Sequence, residues 1–511
     1  MLLVSTGMSP KKIRIAFAGV GGMGQAAHLR NYATLHDDCE VVALAELRPK
    51  LAQAVARKYN IPRIYGTIAE MLAAKGYRVQ GSDAAEGYTL DRLRSLGVAV
   101  FAGHAAANVE GARVVVVSSA IRPDNVELMA ARAAGLAIVR RAEMLAELMK
   151  PLEAVAVAGT HGKTTTTTMV AAVLEAGGLD PSVVNGGIIN AYGSNAKSGQ
   201  GRWMVAEADE SDGTFLKLPA RVAVVTNVDP EHLDHFKDYD NVKAAFRSFI
   251  EGVPFYGFAV ACADHAATME IAAAVRDRRI LSYGFAEGAD VRARNLAAGR
   301  DGMVFDVTFS ARMAGGAATL KGVRLPMPGR HNVANALAAM TVARELGVAD
   351  SDAVKGLAGF EGVQRRFTKV GVWNGVTIID DYSHNPPKIA AAIEAARQVA
   401  EGRVIAVVQP HRFTRVRDLW DSFVACMDGA DVAIVSDIYT AGETPIEGVT
   451  GAALAEAVRR HGHADARYLP SPDDLPALVR GIAKPGDYVI VLGAGSNTFW
   501  AKKLPSQLAA S

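Results

Sequence analysis

Short, continuous apolar runs alternate along this chain with longer Ala-rich stretches of helical character almost throughout. That alternation predicts parallel α/β layers, with ligands gathered at the carboxyl ends of the strands. Ile13 to Ala18 is one such run and feeds directly into Gly19-Val20-Gly21-Gly22-Met23-Gly24. Val155 to Ala158 is another, running into Gly159-Thr160-His161-Gly162-Lys163-Thr164-Thr165. After a short Gly-containing join at Phe360 to Val363 come Thr377 to Ile379, ending in Asp380-Asp381, and Val404 to Val408, ending in Gln409-Pro410-His411-Arg412. Val432 to Val435 and Val489 to Leu492 complete that series, and each delivers polar groups or glycine to one edge. These breaks predict three domains, over residues 1–152, 153–362 and 363–511.

A chain of 511 residues is long enough for three or four cores at roughly 100 to 200 residues per domain, so a single small module is excluded. Lys plus Arg number 55 against 53 Asp plus Glu, a net charge of +2 with no long run of one sign, which argues against nucleic acid as a partner. No apolar stretch approaches the roughly 18 to 20 residues that span a bilayer, so no membrane insertion is expected. The opening MLLVSTGMSP is too short for a signal peptide, and Met8 is a candidate start. The three cysteines, Cys39, Cys262 and Cys426, are far apart and form no CxxC pair, which fits a reducing cytoplasm.

The loop after Ala158 carries the most specific chemistry. Small residues between a buried strand and a helix let backbone N–H groups approach phosphate oxygens, and the helix start adds a favourable dipole. Lys163 then supplies a point charge for the β and γ phosphates, and the Thr164 hydroxyl faces Mg²⁺. The strict GxxxxGK[ST] pattern is not met, because Val157 stands where its first glycine belongs, and Gly159 gives a shorter GxxGKT version. A glycine-rich turn with an exposed lysine is the plainer alternative; strand, loop and threonine run together favour a nucleotide. Mg²⁺ needs hard oxygen ligands, and two acidic stretches follow β-rich runs downstream, Glu207-Ala208-Asp209-Glu210 and Asp229-Pro230-Glu231-His232.

These residues, together with GSD at 81 to 83, SSAI at 118 to 121, NGGIINAYGSNA at 185 to 196, PMPGRHNVANALAA at 326 to 339, RRFTK at 365 to 369, QPHRFTR at 409 to 415 and LGAGS at 492 to 496, resemble the Mur ligase family over roughly residues 73 to 511. The resemblance implies an α/β enzyme of three domains: a Rossmann-like N-terminal domain for a UDP-sugar, a central P-loop ATPase-type α/β domain and a C-terminal doubly wound Rossmann-like domain. It implies ATP and Mg²⁺, with UDP-N-acetylmuramate and L-alanine as the substrates, in a monomer or homodimer. Carried over by motif, Gly159, Thr160, His161, Gly162, Lys163, Thr164 and Thr165 hold the ATP phosphates, and Thr164, Glu207 and His232 the metal. His331 and Asn332 meet the adenine, and Arg366 (or Arg365) with Asp381 meets ATP as the domains close. His384, Arg412 and Arg415 surround the incoming alanine and the substrate carboxylate, a task suited to the bidentate guanidinium fork. Gly19, Gly21, Gly22, Asp83, Ser118 and Asn185 are the implied UDP-sugar contacts.

Two departures stand out. Asn385 replaces a histidine of the family's usual DDYxHHP, and Arg247 sits at the offset where several sibling ligases carry a carbamylated lysine. Residues 13 to 72 depart further. They resemble the N-terminal NAD(P)-binding region of the glucose-fructose oxidoreductase and inositol dehydrogenase family, with Val41 to Ala45 as a second strand and Glu46 lying 22 residues after Gly24, near where a ribose-binding acid belongs. The expected outcome is an added βα unit that impairs UDP-sugar affinity. The functions to weigh are therefore the alanine ligase, a recycling ligase that takes a ready-made peptide, an NAD(P)-dependent oxidoreductase or sensor, and an inactive fusion.

Overall fold

Strands buried on both faces need continuous apolar sequence, and the runs read above fold accordingly. The computed structural model describes residues 13–18 and 39–45 by their backbone, and residues 79–510 apart from 85, 87, 96, 97, 119, 120, 193 and 300. They fall into two compact units, one comprising the chain up to Val155 with Leu179–Ala206 and Ser211–Ala220, the other Ala156–Gly178, Glu207–Glu210 and everything from Arg221 onward.

In the first unit β1 (Ile13–Ala18) pairs in parallel with β2 (Cys39–Ala45), matching the two strands expected there. Gly19, Gly21, Gly22, Gly24 and Glu46 lie outside the described residues. Two further parallel pairs follow, β3 (Gln80–Asp83) with β4 (Ala99–Ala102) and β5 (Val114–Val117) with β6 (Ala137–Arg140). The chain passes between the units within β7 (Glu153–Ala158). Beyond it, β8 (Ser182–Ile189) pairs in antiparallel fashion with β9 (Ser194–Lys197) and in parallel with β10 (Trp203–Glu207).

In the second unit the ends of β10 and β11 (Val222–Val225) flank the end of β7: Ala208 N donates to Val157 O at 2.9 Å and Thr226 N to Ala158 O at 3.1 Å. β12 (Phe258–Cys262), β13 (Ile280–Gly284) and β14 (Val291–Gly299) continue the parallel run from β11. β15 (Gly302–Phe309) and β16 (Ala318–Leu325) then turn antiparallel, a departure from the all-parallel expectation. The cause is short connection: Gly299, the last residue of β14, stands opposite Gly302, the first of β15, and so short a link can join only antiparallel neighbours.

The last sheet has the order β17-β18-β22-β19-β20-β21, with β17 (Thr368–Trp373) antiparallel at its edge, and β18 (Val376–Asp381), β19 (Val404–Val408), β20 (Val432–Ser436), β21 (Ala466–Leu469) and β22 (Tyr488–Leu492) parallel. Both faces are covered, and β19 shows how. Its Val404, Ala406 and Val408 pack into a core with Ile389 and Ile393 of the helix Pro386–Val399, while Ile405 and Val407 pack into another with Leu504 and Leu508 of the helix Asn497–Ala509. Register aligns the strand ends: Asp381 and Val408 both stand opposite Leu492, and Val408 opposite Val435. Among the described residues no helix is long and apolar enough to cross a membrane.

Candidate active site

The helix Lys163–Ala176 starts from Gly162 at φ +82°, and Gly159 sits at φ +129°. Neither position tolerates a side chain. A Cβ on Gly159 would lie 2.0 Å from Thr226 Oγ1 and 3.0 Å from the Asn227 backbone, and one on Gly162 would lie 2.8 Å from Asn335 Oδ1. The loop is tied to the segment after β11. Thr160 N donates to Asn227 O at 3.0 Å, His161 N to Asn227 Oδ1 at 2.7 Å, and Asp229 N to Thr160 Oγ1 at 2.8 Å. Two of the loop's N–H groups are therefore spent on Asn227, whereas those of Lys163, Thr164 and Thr165 precede the first intrahelical bond, Thr166 N to Gly162 O. These three are the donors available to an anion.

Lys163 reaches back over the loop, donating to Gly159 O at 2.6 Å and to Glu210 Oε1 at 2.9 Å. Burial disfavours its charge, but Glu210 and Glu207 outweigh that and raise its pKa, so the ammonium is held charged. His232, at φ +58°, lies 3.7 Å from Glu210. Glu210 is thus the carboxylate at the centre of this corner, and it was not among the expected site residues although it lies inside the acidic stretch read from the sequence. Glu207 ends β10, one residue before the backbone bond that joins Ala208 to β7. Among the described residues no group of three or more His, Cys, Asp or Glu side chains is arranged to hold a metal ion by itself.

Next to the loop lies a cavity of about 310 Å³, lined by His161, Gly162, Thr164, Thr165, Asn332, Arg366 and Lys388 among others. His331 and Asn332 enter it from the helix Arg330–Glu345, which begins after Gly329 at φ +100°. Asn332 Nδ2 donates to Pro328 O at 2.6 Å and its Oδ1 accepts from Asn335 Nδ2 at 3.3 Å, which fixes the orientation of the amide. Burial lowers the His331 pKa and keeps the ring neutral. His161 and His265 also line the cavity; Asp229 sits 3.1 Å from Nε2 of each, and these two rings hold its carboxyl far below the usual range.

Arg366 contributes to the cavity from the C-terminal side, its Nη2 3.4 Å from Thr164 Oγ1. Asp381 lines it too, but its carboxylate is already committed: Oδ2 accepts from Phe367 N at 2.7 Å and Oδ1 from Ser383 N at 2.8 Å. It shapes the loop before it meets any ligand. His384 Nδ1 donates to Tyr382 O at 2.7 Å, which sets its tautomer, since a carbonyl only accepts. Its ring is 5.6 Å from that of His411, which stacks on Tyr439 at 5.5 Å. Arg415 Nη1 lies 3.4 Å from His411 Nδ1, and Arg412 Nε donates to Glu443 Oε1 at 2.6 Å. The structure thus brings His384, Arg412 and Arg415 into one cluster and adds His411, Tyr439 and Glu443 to it. His411 stood in the motif already read, whereas Tyr439 and Glu443 come from a segment that no pattern singled out.

Of the expected UDP-sugar contacts, Asp83 is exposed at the end of β3, Ser118 is exposed just after β5, and Asn185 is buried in β8, all in the first unit.

The chain is 57% identical over 443 residues to the UDP-N-acetylmuramate–L-alanine ligase of Bradyrhizobium sp. (strain ORS 278), a match spanning 87% of this chain and 95% of that relative. The chain belongs to the Mur ligase family. Three Mur ligase models divide its length, the Mur ligase family catalytic domain at residues 65–152, the Mur ligase middle domain at 157–343 and the Mur ligase glutamate ligase domain at 365–495. The UDP-N-acetylmuramate–L-alanine ligase of Rhodopseudomonas palustris (strain TIE-1) is 58% identical over 443 residues, 87% of this chain and 95% of that one. Among solved structures, the UDP-N-acetylmuramate-alanine ligase of Thermotoga maritima aligns with a TM-score of 0.73 at 26% identity, over 87% of this chain and 96% of that one. A murein peptide ligase from Psychrobacter arcticus shares the Mur ligase fold at a TM-score of 0.62 and 24% identity, over 86% and 95% of the two chains.

Proposed function

We propose that this chain is an ATP-dependent ligase that joins L-alanine to the lactyl carboxylate of UDP-N-acetylmuramate in the synthesis of the peptidoglycan precursor. The observation that carries this reading is the 57% identity over 95% of the length of a relative bearing that name. A carboxylate is too poor an electrophile for an amine, so ATP first converts it to an acyl phosphate, and the amine then displaces phosphate through a tetrahedral intermediate. No covalent enzyme nucleophile is needed. Cations and backbone donors aimed at the developing charge suffice, and the corner formed by Lys163, the helix start and Arg366 is of that kind.

In this reading the phosphates lie along the loop Gly159–Thr165, the adenine beside His331 and Asn332, and alanine beside His384, Arg412 and Arg415. Thr164 and Glu207 supply the hard oxygen donors that suit Mg²⁺, which takes one or two protein carboxylates alongside substrate phosphates and needs no cage of its own; the His232 imidazole is the weaker match of the three. When bound, the metal would offset phosphate charge. The domains are those of the expected boundaries, 1–152, 153–362 and 363–511, with Asp83, Ser118 and Asn185 toward the UDP-sugar. Cytoplasmic ATP and UDP-sugar pools are the setting such a ligase requires.

Residues 13–72 are proposed as an added unit of dinucleotide-binding type, a reading supported by the parallel pairing of β1 with β2. Titration with NADH, followed by its fluorescence, tests whether that unit retains a ligand. The ligase itself is tested by phosphate release from ATP and Mg²⁺ with both substrates, with each omitted, and with alanine replaced by glycine, serine or tripeptide. Release that requires UDP-N-acetylmuramate and alanine together supports the reading. Release with tripeptide in preference to alanine would replace it with the recycling ligase, and ATP binding without release would point to an inactive fusion.

A further inference from the structure

Lys388 belongs to no motif read from the sequence. It is the third residue of the helix Pro386–Val399, whose cap Asn385 accepts from Lys388 N at 3.2 Å. Its side chain is only 20% exposed and lines the same cavity as Thr164 and Arg366. The nearest carboxylate, Glu231, stands 3.9 Å away, at the outer limit of an ion pair, and its other oxygen is taken by the Asn385 amide. Two more cations, Lys163 and Arg366, repel Lys388 electrostatically, and Arg366 lines the cavity with it. Burying an ammonium beside like charges is costly unless an anion completes the arrangement. Burial first, and then Lys163 and Arg366, lower its pKa to about 8 despite Glu231, the signature of a cation not yet matched by its partner.

We infer that Lys388 is a further catalytic cation of the phosphoryl-transfer site, contacting the γ-phosphoryl oxygens of ATP from the start of the helix Pro386–Val399. This deepens the ligase reading and rests on it. In the transfer, a carboxylate oxygen of the sugar substrate forms a bond to the γ-phosphorus while the bond from that phosphorus to the β,γ-bridging oxygen breaks, its electron pair leaving on ADP. In the second step the alanine nitrogen, as the free amine, bonds to the acyl carbon and the C–O bond to phosphate breaks; its electron pair leaves on phosphate, which takes up the proton that the nitrogen loses on becoming an amide. Lys388 stays protonated through both steps, and its charge follows the oxygens of the phosphoryl group from ATP to acyl phosphate to free phosphate. A charge that sees the γ-phosphoryl group distinguishes ATP from ADP, which a purely structural lysine does not.

The test uses the full-length protein carrying Lys388→Met, Lys388→Arg or Glu231→Gln, with calorimetric titration of ATP and of ADP and steady-state kinetics. For Lys388→Met the preference for ATP over ADP should fall about tenfold with ADP affinity within twofold of the parent, and kcat should drop about a hundredfold or more, the scale of losing one transition-state charge partner. Lys388→Arg should restore most of the ATP preference. An unchanged ATP-to-ADP ratio in Lys388→Met overturns the inference, and so does an equal loss of both nucleotides. If Lys388 serves only to hold Glu231, then Glu231→Gln will match Lys388→Met in every readout, which overturns it as well. Should Lys388→Met fail to fold, a Lys388→Arg protein with parental ATP preference supports the role, and one that discriminates no better than twofold refutes it. Nucleotide titration needs no turnover, so a protein that discriminates ATP through Lys388 yet forms no amide with alanine would sink the ligase reading alone.

Discussion

Lys163 and Arg412 are both held by carboxylates, and this tells how each acts. Lys163 sits between Gly159 O and Glu210, so the nucleotide proposed for this loop would compete for an ammonium already in a charge-assisted network. Lys163→Ala removes that charge and leaves Glu210 without its main partner. Phosphate release should fall by about a thousandfold or more, and turnover within threefold of the parent would refute the assignment of the loop. Arg412 is oriented by Glu443, whose carboxyl, in spite of burial, is lowered to about 2 by hydrogen bonds from Thr414 and by Arg412 itself. Glu443→Gln should leave Arg412 free to swing: a KM for alanine raised about tenfold, with kcat changed much less, is the expected split, and an unchanged KM would show that Arg412 does not meet the amino acid. Lys163 and Arg412 were legible because each stands in a motif with its own chemistry. Glu443 and Lys388 were not, since Glu443 lies 31 residues from its partner and Lys388 is one lysine among helix residues; only folding reveals what either one faces.

At the scale of elements, the reading worked where burial is two-sided. The continuous apolar runs at Val155–Ala158 and Val404–Val408 are β7 and β19 at or near the expected limits, because such runs leave no face for polar residues. The antiparallel strands β15 and β16 were not foreseen: their burial alternates, so apolar and polar positions intermix and no long run announces them. The turn from β7 into the helix Lys163–Ala176 is the element on which the site depends most. Gly159→Ala places a methyl against Thr226 Oγ1 and the Asn227 backbone at a left-handed φ, and the neighbour that must move also anchors Thr160 and His161. A cost on the order of 2 to 4 kcal/mol follows from strain plus overpacking. The melting temperature should drop by several degrees and ATP affinity should fall with it; parental values of both would mean that the loop relaxes without consequence.

For the molecule as a whole, acid is the condition that the arrangement of charges resists least. His331, His384 and His411 are all depressed below the ordinary histidine range. Burial is the main cause in each; Lys388 adds to it for His384, and Arg415 for His411, which falls to about 4. A histidine held neutral in the fold binds fewer protons than in the unfolded chain once the pH drops below its unfolded value of about 6.5. Stability from these groups is therefore fully present above about pH 6.5 and is lost as pH falls below it, down to about 4 for His411. Each buried ring contributes a slope of up to about 1.4 kcal/mol per pH unit, with His411, which is partly exposed, contributing less. The depressed carboxyls of Asp229 and Glu443 act in the same direction but only at lower pH, since their unfolded values lie near 4 and their stabilisation is intact above them. The melting temperature should accordingly be level from pH 8 to about 6.5, decline between about 6.5 and 4.5, and fall faster beneath that. His331→Gln should flatten the middle segment. A melting temperature that stays level to pH 4.5 in the parent protein would mean that these rings accept protons in the folded state, and hence that water reaches them far more freely than their burial implies.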